Sequence, residues 1–161
     1  MADKSERLYP NRPFVALAAV VWKGDEVLLV SRGREPRLGE WSLPGGAQEL
    51  DETAMEGVRR EVREETSIEI DITGVIDVVD SIHRDDDGRV RLHYTIVEFS
   101  AEWRSGEPIA GEDAAKAAWF SMKDALAAVR WPKTADIIKK SAAMRPRRRG
   151  RARVRPASKP D

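Results

Sequence analysis

The sequence predicts an α/β (α+β) sandwich, on three observations. Apolar runs rich in Val, Ile and aromatic residues, separated by turn residues, occupy 14–32 and 74–103. A capping signature followed by apolar residues four apart marks a central helix after Thr53, and two further helical stretches follow Ser121. Strands mixed with a few helices bury their apolar faces by stacking in layers. At 161 residues and 41% hydrophobic content, the chain can bury one proper core and is too short for two full domains. The expected organisation is an arm at 1–12, one folded domain at 13–143 and a basic tail at 144–161.

Taken in order, "PFVALAAVVW" and "EVLLVSR" are β-rich runs joined by Lys23, Gly24 and Asp25, which reads as a hairpin. "GREPRLGE" is a polar loop, and "WSLPGG" a short strand ending in a tight turn. Thr53 with Glu56 forms a capping box that starts a helix at about Ala54 and carries it to Thr66, with Ala54, Val58 and Val62 as its buried stripe. "GVIDVVDSIH" and "RVRLHYTIVEFSAEW" flank "RDDDG" as a second hairpin. A short strand at 118–120, a helix from the Ser121/Asp124 cap to about Val129 and a last helix over 134–143 complete the domain. No internal repeat is present.

Composition excludes several chemistries. The chain has no cysteine, so disulfides, thiolate metal sites and cysteine nucleophiles are ruled out, and a reducing compartment fits. The apolar run at 14–22 is too short for a membrane span and lacks a signal peptide's flanks, which predicts a soluble, cytoplasmic protein. The net charge of zero hides a division: residues 139–161 hold 10 of the 28 Lys and Arg but 1 of the 28 Asp and Glu, leaving the body at −9 and the tail at +9. From Arg145 onward there is little to bury and much like charge, so disorder is expected, with nonspecific attraction to RNA, anionic lipid or another polyanion, or to the acidic body.

The stretch "GGAQELDETAMEGVRREVREET" poses the functional question. Glu61, Glu64 and Glu65 fall at helix spacing near a helix C-terminus, where they repel one another and the macrodipole disfavours anions. Ion pairs of Arg60 with Glu56 or Glu64 offset part of this. A hard cation such as Mg²⁺ or Mn²⁺, bound by oxygen, would offset the rest. Charge spacing alone leaves a metal site and a salt-bridged surface helix both open. Gly45 and Gly46 after Pro44 allow close backbone approach to a metal or phosphate, and equally an ordinary turn.

Gly46, five residues, Glu52, seven residues, then Arg60-Glu61-Val62-Arg63-Glu64-Glu65-Thr66-Ser67-Ile68 resembles the Nudix box of the Nudix hydrolases. That pattern is Gly-x5-Glu-x7-Arg-Glu-U-x-Glu-Glu-x-Gly-U, with U aliphatic. Every fixed position matches except Ser67, which replaces the second glycine. If that glycine serves a left-handed helix cap, serine costs about 1 kcal/mol and removes no ligand. The resemblance implies an α/β/α sandwich with a mixed β-sheet and a metal-dependent pyrophosphohydrolase acting on a nucleoside diphosphate linked to another group, with Mg²⁺, or Mn²⁺ in its place. It implies Glu61, Glu64 and Glu65 as metal carboxylates, Gly45 as a carbonyl ligand, Arg60 as the residue orienting the glutamates, and Glu52 as support through Arg60 or as an indirect metal contact. Glu64, Glu65, Arg60 and the loop residue Glu112 form the expected catalytic set. Glu112 is similar to the loop glutamate of 8-oxo-dGTP hydrolases, with Asp113 the adjacent alternative and a solvated loop acid the rival explanation.

Arg32, Arg34, Arg37 and Gly46 are the candidate substrate contacts, with ordinary loop solvation as the rival for the arginines. His83 and His93 read as structural, "DDDG" as a hairpin turn, Trp41 as buried beside the glycines, and Trp103 as core packing over base stacking. The segment "GREPRLGEWSLPGGAQELDE" and "GVIDVVD" resemble small bacterial ADP-ribose pyrophosphatase-like proteins, which makes ADP-ribose or a related nucleoside diphosphate sugar the expected substrate. The proline that some ADP-ribose hydrolases carry beyond the box is absent around His83, Arg84 and Asp85, as is the tyrosine of some dinucleoside polyphosphate hydrolases. The alternatives are 8-oxo-dGTP-type sanitation and a noncatalytic nucleotide- or RNA-binding module. Resemblance also implies a possible homodimer.

Overall fold

Strand β1 (Phe14–Lys23) is the spine of the sheet in the computed structural model, which describes residues 4–34, 37–111 and 113–146. A tight turn at Gly24 (φ 63°) leads to β2 (Glu26–Arg32), as the hairpin pattern predicts. After the pairs Trp22/Val27 and Lys23/Glu26, β2 leaves β1 and pairs antiparallel with β3 (Trp41–Ser42) and with β7 (Ala114–Ser121). The freed edge of β1 is taken by β4 (Gly45–Ala47), antiparallel. On its other side β1 runs parallel to β6 (Val90–Ser105), and β5 (Glu69–Arg84) pairs antiparallel with β6 outside it. The result is a seven-stranded mixed sheet.

Alternation along β1 decides what covers each face. Leu17, Ala19 and Val21 pack with Val58 and Val62 of α1 (Ala54–Thr66) and with Phe99 of β6. Val20 and Trp22 pack with Ala125 of α2 (Met122–Ala128) and Ile137 and Ile138 of α3 (Pro132–Met144). Helices therefore cover both faces, and the architecture is the expected α/β/α sandwich. Trp22 Nε1 donates to Ser141 Oγ at 2.8 Å, and Ser141 Oγ lies 2.7 Å from Ser100 Oγ, so these three polar groups are paired under α3.

Several boundaries differ from expectation. Gly45 and Gly46 do not form a tight turn but lie extended in β4, and neither has a positive φ. β5 begins at Glu69 instead of Gly74, because Ile68 and Ile70 are buried and draw the chain into the sheet directly after α1. β7 begins at Ala114 instead of Ala118, paired along the whole of β2. α3 begins at Pro132, two residues before the expected Thr134, since proline suits the first helical position. Trp41 is half-buried, edge-on to Phe120 with centroids 4.8 Å apart, rather than buried beside a turn. Trp103, by contrast, packs against the core cluster as expected, half-buried and with Lys23 Nζ 4.3 Å from its ring. Asp85 Oδ1 accepts the N–H groups of Asp87 and Arg89, so the "DDDG" stretch makes the β5–β6 turn. Of the basic tail, residues 147–161 lie outside the described residues, as does Glu112.

The Thr53/Glu56 capping box is present in full, and α1 ends on Ser67 in the left-handed conformation (φ 61°, ψ 17°). Ser67→Gly should relieve that strain and raise stability by about 0.5–1 kcal/mol in urea denaturation, with turnover little changed.

Candidate active site

Packing of α1 against β4 brings the charged residues of the motif together. Arg60 is the hub. Its Nε and Nη2 donate to Glu52 Oε2 and Oε1 at 2.9 and 2.8 Å, a two-pronged pairing that ties the helix to the loop before it. Nη1 bridges Glu61 Oε1 (2.9 Å) and Glu64 Oε2 (3.1 Å), and Nη2 also reaches the Ala47 carbonyl at 3.2 Å. Glu56 serves the capping box, so the Arg60–Glu56 pair considered from spacing is not formed, while the Arg60–Glu64 pair is. The hydrogen bond from Arg60 holds Glu52 below its ordinary carboxyl range, and Glu52 in turn raises the guanidinium's own affinity for its proton.

Glu61 and Glu65 are different. Burial raises the Glu61 carboxyl despite its bond to Arg60. Burial also pushes the Glu65 carboxyl up to about 8, with the charges of Glu61, Asp113 and Glu64 adding to the rise and the Gly45 N–H opposing it. That N–H donates to Glu65 Oε2 at 2.9 Å.

The two glycines are required by proximity. A Cβ on Gly46 would stand 2.5 Å from the Glu61 carboxyl, and one on Gly45 would stand 2.1 Å from the Leu17 carbonyl oxygen across the strand pair. Gly46→Ala should therefore displace Glu61. The expected outcome is a well-folded protein with at least about tenfold lower turnover, since a displacement of about 1 Å near the chemistry costs up to roughly a hundredfold. Circular dichroism together with steady-state kinetics checks both parts.

A feature that local sequence reasoning missed closes the other end of α1. Ile109 N–H donates to the Thr66 carbonyl and Gly111 N–H to the Glu65 carbonyl, each at 2.9 Å, so the 106–111 segment satisfies the exposed end of the helix. This places Asp113 near Glu65, and Arg34 pairs with Asp113 at 3.3 Å. Arg37 Nη2 is 3.4 Å from His83 Nε2, which is itself 3.0 Å from Ser81 Oγ, while Arg32 is exposed at the end of β2. Arg34 thus reaches the glutamate cluster through Asp113, whereas Arg37 is engaged by β5.

The NUDIX domain profile matches residues 12–141. The chain belongs to the Nudix family. A protein from Methanocaldococcus jannaschii named ADP-ribose pyrophosphatase is 35% identical over 121 residues, 75% of this chain and 69% of that one. The human 8-oxo-dGDP phosphatase NUDT18 is 40% identical over 62 residues, 38% of this chain but only 19% of its own length. Among solved structures, a NUDIX hydrolase from Nitrosomonas europaea superposes with a TM-score of 0.69 at 26% identity, covering 82% of this chain and 90% of that one. The protein is a Nudix hydrolase, an enzyme class acting on phosphorus-containing anhydrides. No helix among the described residues is long and apolar enough to cross a membrane.

Nudix hydrolases generally use divalent metals such as Mg²⁺, and the donor set here fits such an ion. Its donors are hard oxygens. Desolvation and like charge load the Glu65 carboxyl with a cost that a cation would relieve. Among the described residues no three acidic or histidine side chains are already gathered as a cage, and Arg60 Nη1 holds Glu61 and Glu64 as a pair. That arrangement suits Mg²⁺, which takes one or two carboxylates and keeps waters or substrate phosphates as its other ligands.

Proposed function

We propose that this Nudix hydrolase is a metal-dependent pyrophosphohydrolase that cleaves a nucleoside diphosphate linked to another group, with ADP-ribose or a related nucleoside diphosphate sugar as substrate. The observation that carries this reading is the desolvated Glu65 carboxyl, fixed by the Gly45 N–H and crowded by Glu61 and Glu64. Glu61, Glu64, Glu65 and the Gly45 carbonyl would hold Mg²⁺, or Mn²⁺ in its place. When bound, the ion neutralises the diphosphate, polarises the scissile P–O bond and lowers the pKa of the attacking water.

The chain's own residues orient this chemistry. Arg60 sets the rotamers of Glu61 and Glu64 while its pairing with Glu52 anchors it. Extended backbone at Gly46, free of a side chain, lets a phosphate approach the glutamates, and Arg34 and Arg32 offer cations at the mouth of the site, with Arg37 farther along the same loop. Glu112 is the proposed general base, with Asp113 beside it. The substrate class is supported by the name of the Methanocaldococcus relative. A second reading, 8-oxo-dGTP-type sanitation, is favoured by the identity shared with the human 8-oxo-dGDP phosphatase.

The test is incubation with Mg²⁺ and a panel of ADP-ribose, nucleoside diphosphate sugars, dinucleoside polyphosphates and 8-oxo-dGTP, with products identified by mass spectrometry. AMP and ribose 5-phosphate as the fastest products support the first reading. Pyrophosphate release from 8-oxo-dGTP supports the second, and no turnover of any member favours a noncatalytic nucleotide-binding module.

A further inference from the structure

On the sheet face turned away from α1, the rung Gly45, Ala18, Glu98, Asp77 crosses four strands in register. Directly opposed residues share a face, so the Glu98 side chain points to the same side as Ala18. The neighbouring rung carries Ala47, Ala16 and Ile96. Four small residues, Ala16, Ala18, Gly45 and Ala47, thus form a floor that is only half-buried, with Ala18 at the margin of the cluster that Ile137 and Ile138 of α3 join.

Glu98 stands at the inner end of that floor. It is 4% exposed, and its Oε2 is fully shielded with no hydrogen-bond partner. A buried carboxyl oxygen left unpaired costs free energy that folding alone does not repay, and such groups call for an explanation. The nearest charged pair, Asp77 with Lys140, leaves Glu98 out. Gly45 belongs to both places: its N–H holds Glu65, and two strand spacings, roughly 10 Å, separate it from Glu98. Gly45 is thus the residue that the glutamate cluster on α1 shares with the rung that carries Glu98.

We infer that Glu98 is a specificity-determining residue that hydrogen-bonds the amine-bearing edge of the substrate's nucleobase, laid on the floor of small residues. The inference rests on the nucleoside diphosphate reading given above. Burial, and then the charge of Asp77, push the Glu98 carboxyl up to about 7, so its acid form is present near neutral pH. An acid form both donates and accepts, the complement of an amine beside a ring nitrogen, as in adenine.

The test measures binding of AMP and of purine riboside 5′-monophosphate, which lacks the amine, by titration calorimetry of wild type, Glu98→Leu and Glu98→Gln. Wild type should prefer AMP by about tenfold or more. Glu98→Leu, with a melting temperature no lower than wild type, should bind the two within about twofold, and Glu98→Gln, whose amide also donates and accepts, should retain the preference. An unchanged preference in Glu98→Leu, or none in wild type, would overturn the inference, and the wild-type arm decides even if the leucine variant fails to fold. Mg²⁺-dependent turnover by wild type is scored separately. Turnover without base preference removes only the role of Glu98, whereas base preference without turnover removes only the hydrolase reading.

Discussion

Replacing Glu65 by Gln should lower metal-dependent turnover by roughly a thousandfold while making the metal-free protein more stable at alkaline pH. The loss of turnover follows from removing a charged ligand of an ion that stabilises the transition state by several kcal/mol, with each 1.36 kcal/mol counting tenfold. The gain in stability follows from proton linkage. In the folded chain the Glu65 carboxyl titrates at about 8 against an ordinary 4.5, so between these values the folded state binds the proton that the unfolded state has lost. The stabilisation this group contributes is present in full below the lower value and is lost as pH rises through the upper one. Glutamine never ionises and removes that loss. Urea denaturation in the presence of a chelator, at about pH 5 and about pH 8, should show the two proteins close at the lower pH and the variant ahead by on the order of 1–3 kcal/mol at the higher.

Arg60→Ala should be the most destabilising substitution in the motif, by about 2–4 kcal/mol in thermal or urea melts. Its guanidinium is the shared partner of Glu52, Glu61 and Glu64 and of the Ala47 carbonyl. Removing it strands Glu61 and leaves Glu52 with only the Glu49 N–H, each with a side chain only 15% exposed, and breaking one partner of such a pair costs more than the pair is worth. Arg60→Lys should recover little of the loss, since a single ammonium cannot make the two-pronged bond to Glu52 and bridge two more glutamates. Turnover should fall in both variants because the rotamers of Glu61 and Glu64 are then unset.

Local chemistry made some of this protein legible from its sequence. The bounds of α1 follow from Thr53 and Glu56 at one end and from Ser67 at the other, all read within one turn of the helix. The spacing of Glu52, Arg60, Glu61, Glu64 and Glu65 likewise places their side chains along one helix and the loop before it. Long-range pairing hid the rest. Gly45 and Gly46 look like a turn until β1 is seen to need a neighbour at Leu17 and Ala18, which draws them into a strand. β5 starts early because the buried Ile68 and Ile70 outweigh the polar Glu69 between them, and irregular pairing near Gly74 masks the alternation. The loop that crosses the end of α1 joins residues more than forty positions apart, from Thr66 to Ile109, and no local pattern announces it. Glu98 reads as one polar residue in a strand; its isolation emerges only when the strands on both sides are in place.

The most direct check of the site is Mn²⁺ binding followed by electron paramagnetic resonance, with wild type and Glu65→Gln titrated side by side and Glu69→Gln, whose partner is Arg63, as a control. Saturable binding by wild type and the control, weakened about tenfold or more in Glu65→Gln, is the predicted result. Equal binding by all three proteins, or none by wild type, would contradict the assignment of the Glu61, Glu64 and Glu65 carboxylates as the seat of a catalytic cation.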